Sequence, residues 1–564
     1  SIDTSSATIA KGTVTPENLT DSTPISGRVA LEIRSTVDQT FDLSNIAVLF
    51  SQSVNVDEIG YTLNDDGGGI TIESYSGSGA NLIIPDSYII DGVTYPVTSI
   101  GDDAFTNDNN IQAVTLPDTI TRIGSHAFSD CQNLSVINMQ EGLIEIGSYA
   151  FTRCVSLTSV DIPSSVTSIG SYTFQYCYSL TSINLPENLT AINSYLFQAC
   201  SSVTTITISK NVNTISIGAF SACTSLSSIY VDPDNTKFKS IDGVLFTIDG
   251  STLIQYPAGK SDITTYTVPD TVSTIGDYAF SYISSLQNVV MSNTVANTRS
   301  SGLQNVILPI SVESIGQSAF SNCNSLESIS IPANINEIGE GAFSSCASLV
   351  TIDVDPDNTN YKSQDGALFT YNMSTLIQYP AGKSDVVNYS IPTTVTTLGR
   401  FAFSMNRCLQ SIDIPDSVTT IGSYAFQGCS SLTNISIPEG VTYLPYAVFA
   451  ACTSLESVSL PEGLLSIDFD AFSYCNSLTS ITIPSTVNII NDTAFKDSTL
   501  TTVIVNSPTI AAMLSSKISA GYLINYATTV YVSENAAASL PMEFASLFTE
   551  TSTDRTGYKK YTSA

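Results

Sequence analysis

Eleven cysteines, one histidine and 51 acidic residues are the side chains of this 564-residue chain best suited to chemistry. Ten cysteines, Cys131, Cys154, Cys177, Cys200, Cys223, Cys323, Cys346, Cys429, Cys452 and Cys475, each lie three residues after a phenylalanine. Stacked in register they form rows of five, two and three with parallel side chains. Parallel vectors make poor disulfides, and odd rows leave a thiol over. The expected state is therefore reduced and buried, each cysteine serving as a small hydrophobe. Zinc ligation is not expected, because no Cys-x-x-Cys spacing exists and His126 is the only histidine.

A Ser-His-Asp or Cys-His arrangement would have to use His126. That residue takes a slot filled elsewhere by Tyr149, Tyr172, Tyr195 and Tyr424, so a structural role is expected. Asp161, Asp353 and Asp413 are the acids best placed for glycoside hydrolysis, which needs two carboxylates within about 5–10 Å. Asp161 lies many coils from the other two. The Asp66-Gly67-Gly68-Gly69 run lacks the spacing of a phosphate or dinucleotide loop. Asp232-Pro233-Asp234-Asn235 and its copy Asp355-Pro356-Asp357-Asn358 could offer oxygens to calcium, or form ordinary turns. No catalytic residue, metal ligand or cofactor is expected.

The elements that carry these residues repeat. Phe105, Phe128, Phe151, Phe174, Phe197 and Phe220 are spaced by 23 residues, and the beat returns at Phe320, Phe343 and from Phe403 to Phe495. A fixed period of this size marks a repeat solenoid, in which each coil shares its core with its neighbours. Residues 147–169 show the unit: Gly147, Tyr149, Ala150, Phe151, Cys154, Leu157, Val160, Ile162, Pro163, Val166, Ile169. Val160-Asp161-Ile162 alternates and predicts a short strand, stopped by Pro163. Each coil then adds one strand to a parallel sheet. Ala150, Phe151, Cys154 and Leu157 have helical spacing and predict a helical or 3-10 turn opposite. The glycine four residues before phenylalanine, sometimes Asn193, Asp468 or Asn491, suggests a left-handed corner. Pro445 cannot adopt one, so distortion is expected there.

Fourteen coils carry the full phenylalanine motif. Two variants centre on Phe246 and Phe369, within residues 231–262 and 354–385, offset by 123 residues. Each is expected to carry a protruding hairpin, turning at Asp249-Gly250 in the first copy. Asn372-Met373 stands there in the second, which predicts a different turn. A polar run at 292–302 reads as an exposed loop. Residues 1–60 form a β-rich N-terminal segment, residues 61–505 the solenoid, and residues 506–564 a partly helical cap.

With 19 basic against 51 acidic residues the net charge is −32. That disfavours nucleic acid and anionic lipid as partners. No apolar run reaches the roughly 18 residues of a membrane helix, so no membrane insertion is expected.

The motif, the lead-in from Tyr61 to Phe105 and the DGVLF…LIQYP variant resemble the BspA-like, or Treponema pallidum type, leucine-rich repeats over residues 61–505. The resemblance implies a leucine-rich repeat solenoid with one parallel sheet and short turns opposite. It further implies a secreted or cell-surface protein, several relatives of which bind host matrix proteins or other cells. The expected function is a non-enzymatic scaffold for adhesion, its partner an extracellular protein, a glycan or a second copy of the chain. The alternatives are a self-assembling component of a surface layer or filament, and, less well supported, a polysaccharide-acting enzyme. The strand face is poor in the Trp, Tyr and Arg that anchor protein interfaces. Binding is therefore expected at Phe238, Tyr256, Tyr361 and Tyr371 of the variant coils.

Overall fold

The structure, a computed structural model, describes residues 58–563 except 66, 263, 287, 291–304, 308, 520–528, 542–543, 545–547 and 554. The strands expected before residue 58 and the loop at 292–302 lie outside these residues. Each ordinary coil carries two short parallel ladders. Ser159–Asp161 pairs with Ser182–Asn184 residue for residue. Val160 and Ile183 turn inward and are buried, while Ser159, Asp161, Ser182 and Asn184 face solvent. The second ladder follows the proline and pairs Ser168–Ile169 with Glu145–Ile146. Its only sequence signal is the recurring isoleucine.

The opposite side closes by turns of 3-10 type. Thr152 N–H donates to the Tyr149 carbonyl at 3.0 Å, and Cys154 N–H to Phe151 at 3.1 Å. The turns do not merge into a helix, because Tyr149 and Arg153 both have φ of 59°. Left-handed backbone costs such residues about 1 kcal/mol or more each. It aims alternate N–H groups along the solenoid axis. Tyr149, Phe151 and Arg153 donate to Ser171, Thr173 and Gln175 of the next coil at 3.0, 2.9 and 2.8 Å.

The left-handed positions are therefore not where the glycines suggested. Gly124, Gly147, Gly170 and their counterparts have no positive φ. They are sites of close approach: a Cβ on Gly147 would stand 2.5 Å from the Ser125 nitrogen of the coil before. Gly147 N–H reaches the Ile123 carbonyl at 2.8 Å. Within runs of ordinary coils, the second ladder breaks where a bulkier residue follows glycine. It stops between Ser168–Ile169 and Ala191–Ile192, where Asn193 succeeds Gly170 and its side-chain amide reaches the Ile169 carbonyl at 2.6 Å. It stops again between Thr420–Ile421 and Tyr443–Leu444, where Pro445 succeeds Gly422 and has no N–H to offer. That is the distortion expected at Pro445.

The phenylalanines stack inside the coils with nearly parallel rings, 5.5 Å apart for Phe128 and Phe151 and 5.6 Å for Phe151 and Phe174. At the N-terminal end Ile59–Leu63 and Ile70–Tyr75 form an antiparallel pair leading into the second ladder through Val93–Ile100. At the C-terminal end Thr502–Val505 pairs with Thr529–Ser533, which pairs antiparallel with Tyr558–Ser563. Helix Pro508–Ser519 places Ile510, Ala511 and Leu514 in the last core. This is the partly helical piece expected there.

Phe174 is fully buried between two stacked rings, whereas Ser182 is exposed. Phe174→Ala should lower unfolding free energy by about 3–5 kcal/mol, and Ser182→Ala by less than about 0.5 kcal/mol. Equal effects in denaturant titrations would contradict this assignment of faces.

Candidate binding surfaces and the variant coils

The residues with potential chemistry are mostly committed to holding coils together. The ten ladder cysteines are unpaired and buried; Cys408, outside the ladder, is half-buried. Cys154 Sγ donates to the Phe128 carbonyl of the preceding coil at 3.1 Å, and Cys177 to Phe151 at 3.2 Å. The thiol is thus a small hydrophobe that also satisfies a buried carbonyl. Asn406 takes the same slot, and its side-chain amide reaches the Pro380 carbonyl at 3.1 Å. Burial pushes the thiols of Cys131, Cys223, Cys346, Cys429 and Cys475 up to about 12.

His126 stacks on Tyr149 at 4.6 Å, and Tyr149 on Tyr172 at 4.5 Å, in a half-exposed column of left-handed residues. It is one rung of that column. Asn235 and Asn358 are buried, and each bonds four backbone groups. Asn235 Nδ2 reaches the Ser209 and Val212 carbonyls at 2.8 and 2.9 Å, and its Oδ1 accepts from Lys237 and Phe238. Asp232 accepts the Asp234 N–H at 2.8 Å. The paired motifs are turns that tie a variant coil to the one before it. Asp161, Asp353 and Asp413 are exposed on three separate sheets. Among the described residues no group of three His, Cys, Asp or Glu side chains could share a metal ion.

The variant coils do not protrude. Phe238–Ile241, Val244–Thr247 and Thr252–Gln255 form an antiparallel meander whose last strand enters the second ladder beside Thr274–Ile275. Val244, Leu245 and Phe246 are all fully buried. Leu245 packs with the coils before, and Val244 and Phe246 with those after. Ala367–Thr370 repeats this arrangement, so two meanders divide the core into three compartments. The turns of the two copies agree rather than differ. Met373 takes φ of 60° where Gly250 has 78°. Asn372 Oδ1 accepts from Thr370 and Ser374 hydroxyls as Asp249 Oδ1 does from Thr247 and Ser251.

This placement buries two of the four expected binding residues, Phe238 and Tyr256, and sets Tyr361 in the wall of a cleft. Tyr256 is wholly buried and stacks on Phe280 at 5.4 Å, taking the phenylalanine slot that the sequence suggested for Phe246. Its counterpart Tyr379 stacks on Phe403 at 5.3 Å. Phe238 is 8% exposed. Tyr361 is half-buried, its hydroxyl accepting the Ile338 N–H at 2.8 Å. Tyr371 alone is well exposed, at 56%.

A different group assembles beside the second meander. Arg400 meets Glu340, 60 residues earlier, at 3.3 Å and lies 5.1 Å over Phe401 and 5.4 Å over Tyr424. Glu340 and Arg400, with Tyr361, border a cleft of about 650 Å³. Its sequence signal was the comparison of copies: Glu340, Tyr361 and Arg400 stand where the first has Ile217, Phe238 and Asp277.

Short strands in register, a shared apolar core and tight turns opposite define a leucine-rich repeat solenoid. The family described as the BspA type leucine rich repeat region matches residues 98–241, 258–370 and 381–502, and the chain belongs to it. No curated protein matches. Similar solved structures include a leucine-rich cell surface protein from Faecalibacterium prausnitzii, 28% identical, covering 81% of this chain and 96% of its own, TM-score 0.36. A leucine-rich repeat protein from Eubacterium ventriosum is 26% identical, covering 79% and 94%, TM-score 0.41. The pneumococcal vaccine antigen PcpA is 20% identical, covering 82% and 95%, TM-score 0.43.

Two outcomes follow. At pH 8 a thiol reagent should find roughly one reactive group in the folded chain, since burial disfavours thiolate, and 11 after denaturation. Several Cys–Cys crosslinks between adjacent coils in a peptide map would contradict it. Tyr256→Ala should cost about 3–5 kcal/mol in denaturant titrations, and Tyr371→Ala under about 0.5 kcal/mol; the reverse order would place the meander outside the core.

Proposed function

We propose that this chain is a secreted or surface-displayed, non-enzymatic scaffold that adheres to macromolecules of a host or neighbouring cell. The observation that carries this reading is the solvent face of the first ladder. Along Asn388, Ser411, Asn434 and Ser457 its outward side chains are small, polar and held in register. Such columns offer repeated hydrogen-bonding groups on a backbone that has already lost its conformational freedom, which lowers the entropic cost of engaging a large partner. Membership of the BspA type supports the same reading. Among the described residues no helix is long and apolar enough to cross a membrane.

The test is adhesion of the purified full chain to immobilised matrix proteins and to intact cells. The expected result is saturable binding that resists bovine albumin in excess. No binding across the panel, with particles that grow with concentration in light scattering, would instead favour a self-assembling surface component.

A further inference from the structure

The two meanders are copies, and the clefts beside them have diverged. Where each meander interrupts the second ladder, the coil before and the coil after cannot pair, and a gap opens. The first gap is bordered by Ile217, Gly218, Ile254, Gly276 and Asp277 and measures about 110 Å³. The same five positions, 123 residues on, are Glu340, Gly341, Ile377, Gly399 and Arg400, and they border a cleft of about 650 Å³ that also takes in Thr397, Thr420 and Ser423, whereas the first-copy counterparts Thr274, Ser314 and Gln317 line a separate cleft of about 400 Å³. The aromatic rings beside the two clefts also differ. In the first copy the Tyr195 ring leans over Gly218 and meets Tyr278, hydroxyl to hydroxyl at 3.2 Å. Ser318 occupies the Tyr195 position in the second copy, and Phe401 alone leans over Gly341.

We infer that the second cleft is a binding site for a neutral saccharide chain. Its size lies in the range of ligand clefts. Its charges are balanced within it, since Glu340 and Arg400 pair across it at 3.3 Å. In a chain of net charge −32 an anionic ligand meets a repulsive field. Arg400 is held at the cleft edge over the Phe401 and Tyr424 rings, at 5.1 and 5.4 Å. Thr375, Thr397, Thr420 and Ser423 line the cleft beside the apolar Ile338, Ile377 and Leu398 and the ring of Tyr361. Hydroxyls that both donate and accept, beside a carboxylate and a guanidinium, match the alternating donors and acceptors of vicinal sugar hydroxyls. The site also extends. A neighbouring cleft of about 400 Å³ shares Gly339 and Glu340 and continues past Gln317 and Ser314 to Asp277 and Thr274. A groove that runs over several coils suits a linear chain better than a single compact molecule.

This inference deepens the adhesive reading and rests on it, and its test is separate. The full chain is titrated calorimetrically with neutral gluco-, manno- and galacto-oligosaccharides of three to six units, a hyaluronan tetrasaccharide and a neutral hexapeptide. The expected result is binding of at least one neutral oligosaccharide, and a tenfold or greater loss in Glu340→Ile/Arg400→Asp, which restores the first-copy residues. Ser318→Tyr, which restores the first-copy aromatic ring beside Gly341, should cause the same loss while its thermal unfolding stays cooperative. The variant Tyr371→Ala should bind as the parent does. The inference is overturned if no neutral saccharide binds at millimolar concentration. Binding of the peptide or hyaluronan in preference, or loss of less than twofold in both cleft variants, overturns it too. If those variants still adhere to cells and matrix as the parent does, this site fails and the adhesive reading stands. If the parent adheres to nothing, that reading fails on its own.

Discussion

Coil-to-coil hydrogen bonding along one axis is the constraint from which the other features follow. In each turn three N–H groups point at the next coil, as Tyr149, Phe151 and Arg153 show. The backbone can aim them so only by entering left-handed conformation at Tyr149 and Arg153. Strands of neighbouring coils must then lie about 4.8 Å apart. That spacing leaves no room for a Cβ at Gly147, and it brings the Phe128 carbonyl within reach of Cys154 Sγ. It also sets the phenylalanine rings at stacking distance, 5.5 Å for Phe128 and Phe151. Glycine, cysteine and phenylalanine recur because one spacing must serve every coil.

Interruptions of that spacing are what give the surface its local features. A regular solenoid presents the same narrow face at each step. The two meanders replace a turn by a three-stranded insert whose middle strand, Val244–Thr247 in the first copy, is buried on both sides. The core gains a partition, and the second ladder loses a step. An aromatic ring covers the glycine at each junction, Tyr195 over Gly218 and Phe401 over Gly341, and an ion pair borders the second cleft. Two copies of one insert thus border clefts of different size and charge, with Ile217 and Asp277 at the first and Glu340 and Arg400 at the second.

Much of this was legible in the sequence. The 23-residue beat predicts the solenoid, and the alternation Val160-Asp161-Ile162 predicts a strand that the structure sets one residue earlier, at Ser159–Asp161. The cysteine rows followed from position alone. Glycine was misread, because two different demands, positive φ and absence of Cβ, select the same residue. The discriminating signal was present at Gly218 and Gly341, which stand in the aromatic slot and do have φ of 64°. Tyr256 was misread because tyrosine at a variant position suits either a core or an exposed edge; only the stacking partner Phe280 decides. The Glu340–Arg400 pair was hidden because its members are 60 residues apart and meet where the second ladder is unpaired between Ile338 and Leu376.

Amide hydrogen exchange along the chain tests the central claim most directly. If inter-coil bonds set local stability, protection should be high through the ordinary coils from Gly101 to Ile169. It should fall at Asn193 and Pro445, where the second ladder stops. It should fall likewise at the junctions between Ile215 and Leu253 and between Ile338 and Leu376, where no pairing spans the meander. Uniform protection through all four interruptions would show that the shared apolar core, rather than the axial hydrogen bonds, holds the coils in register.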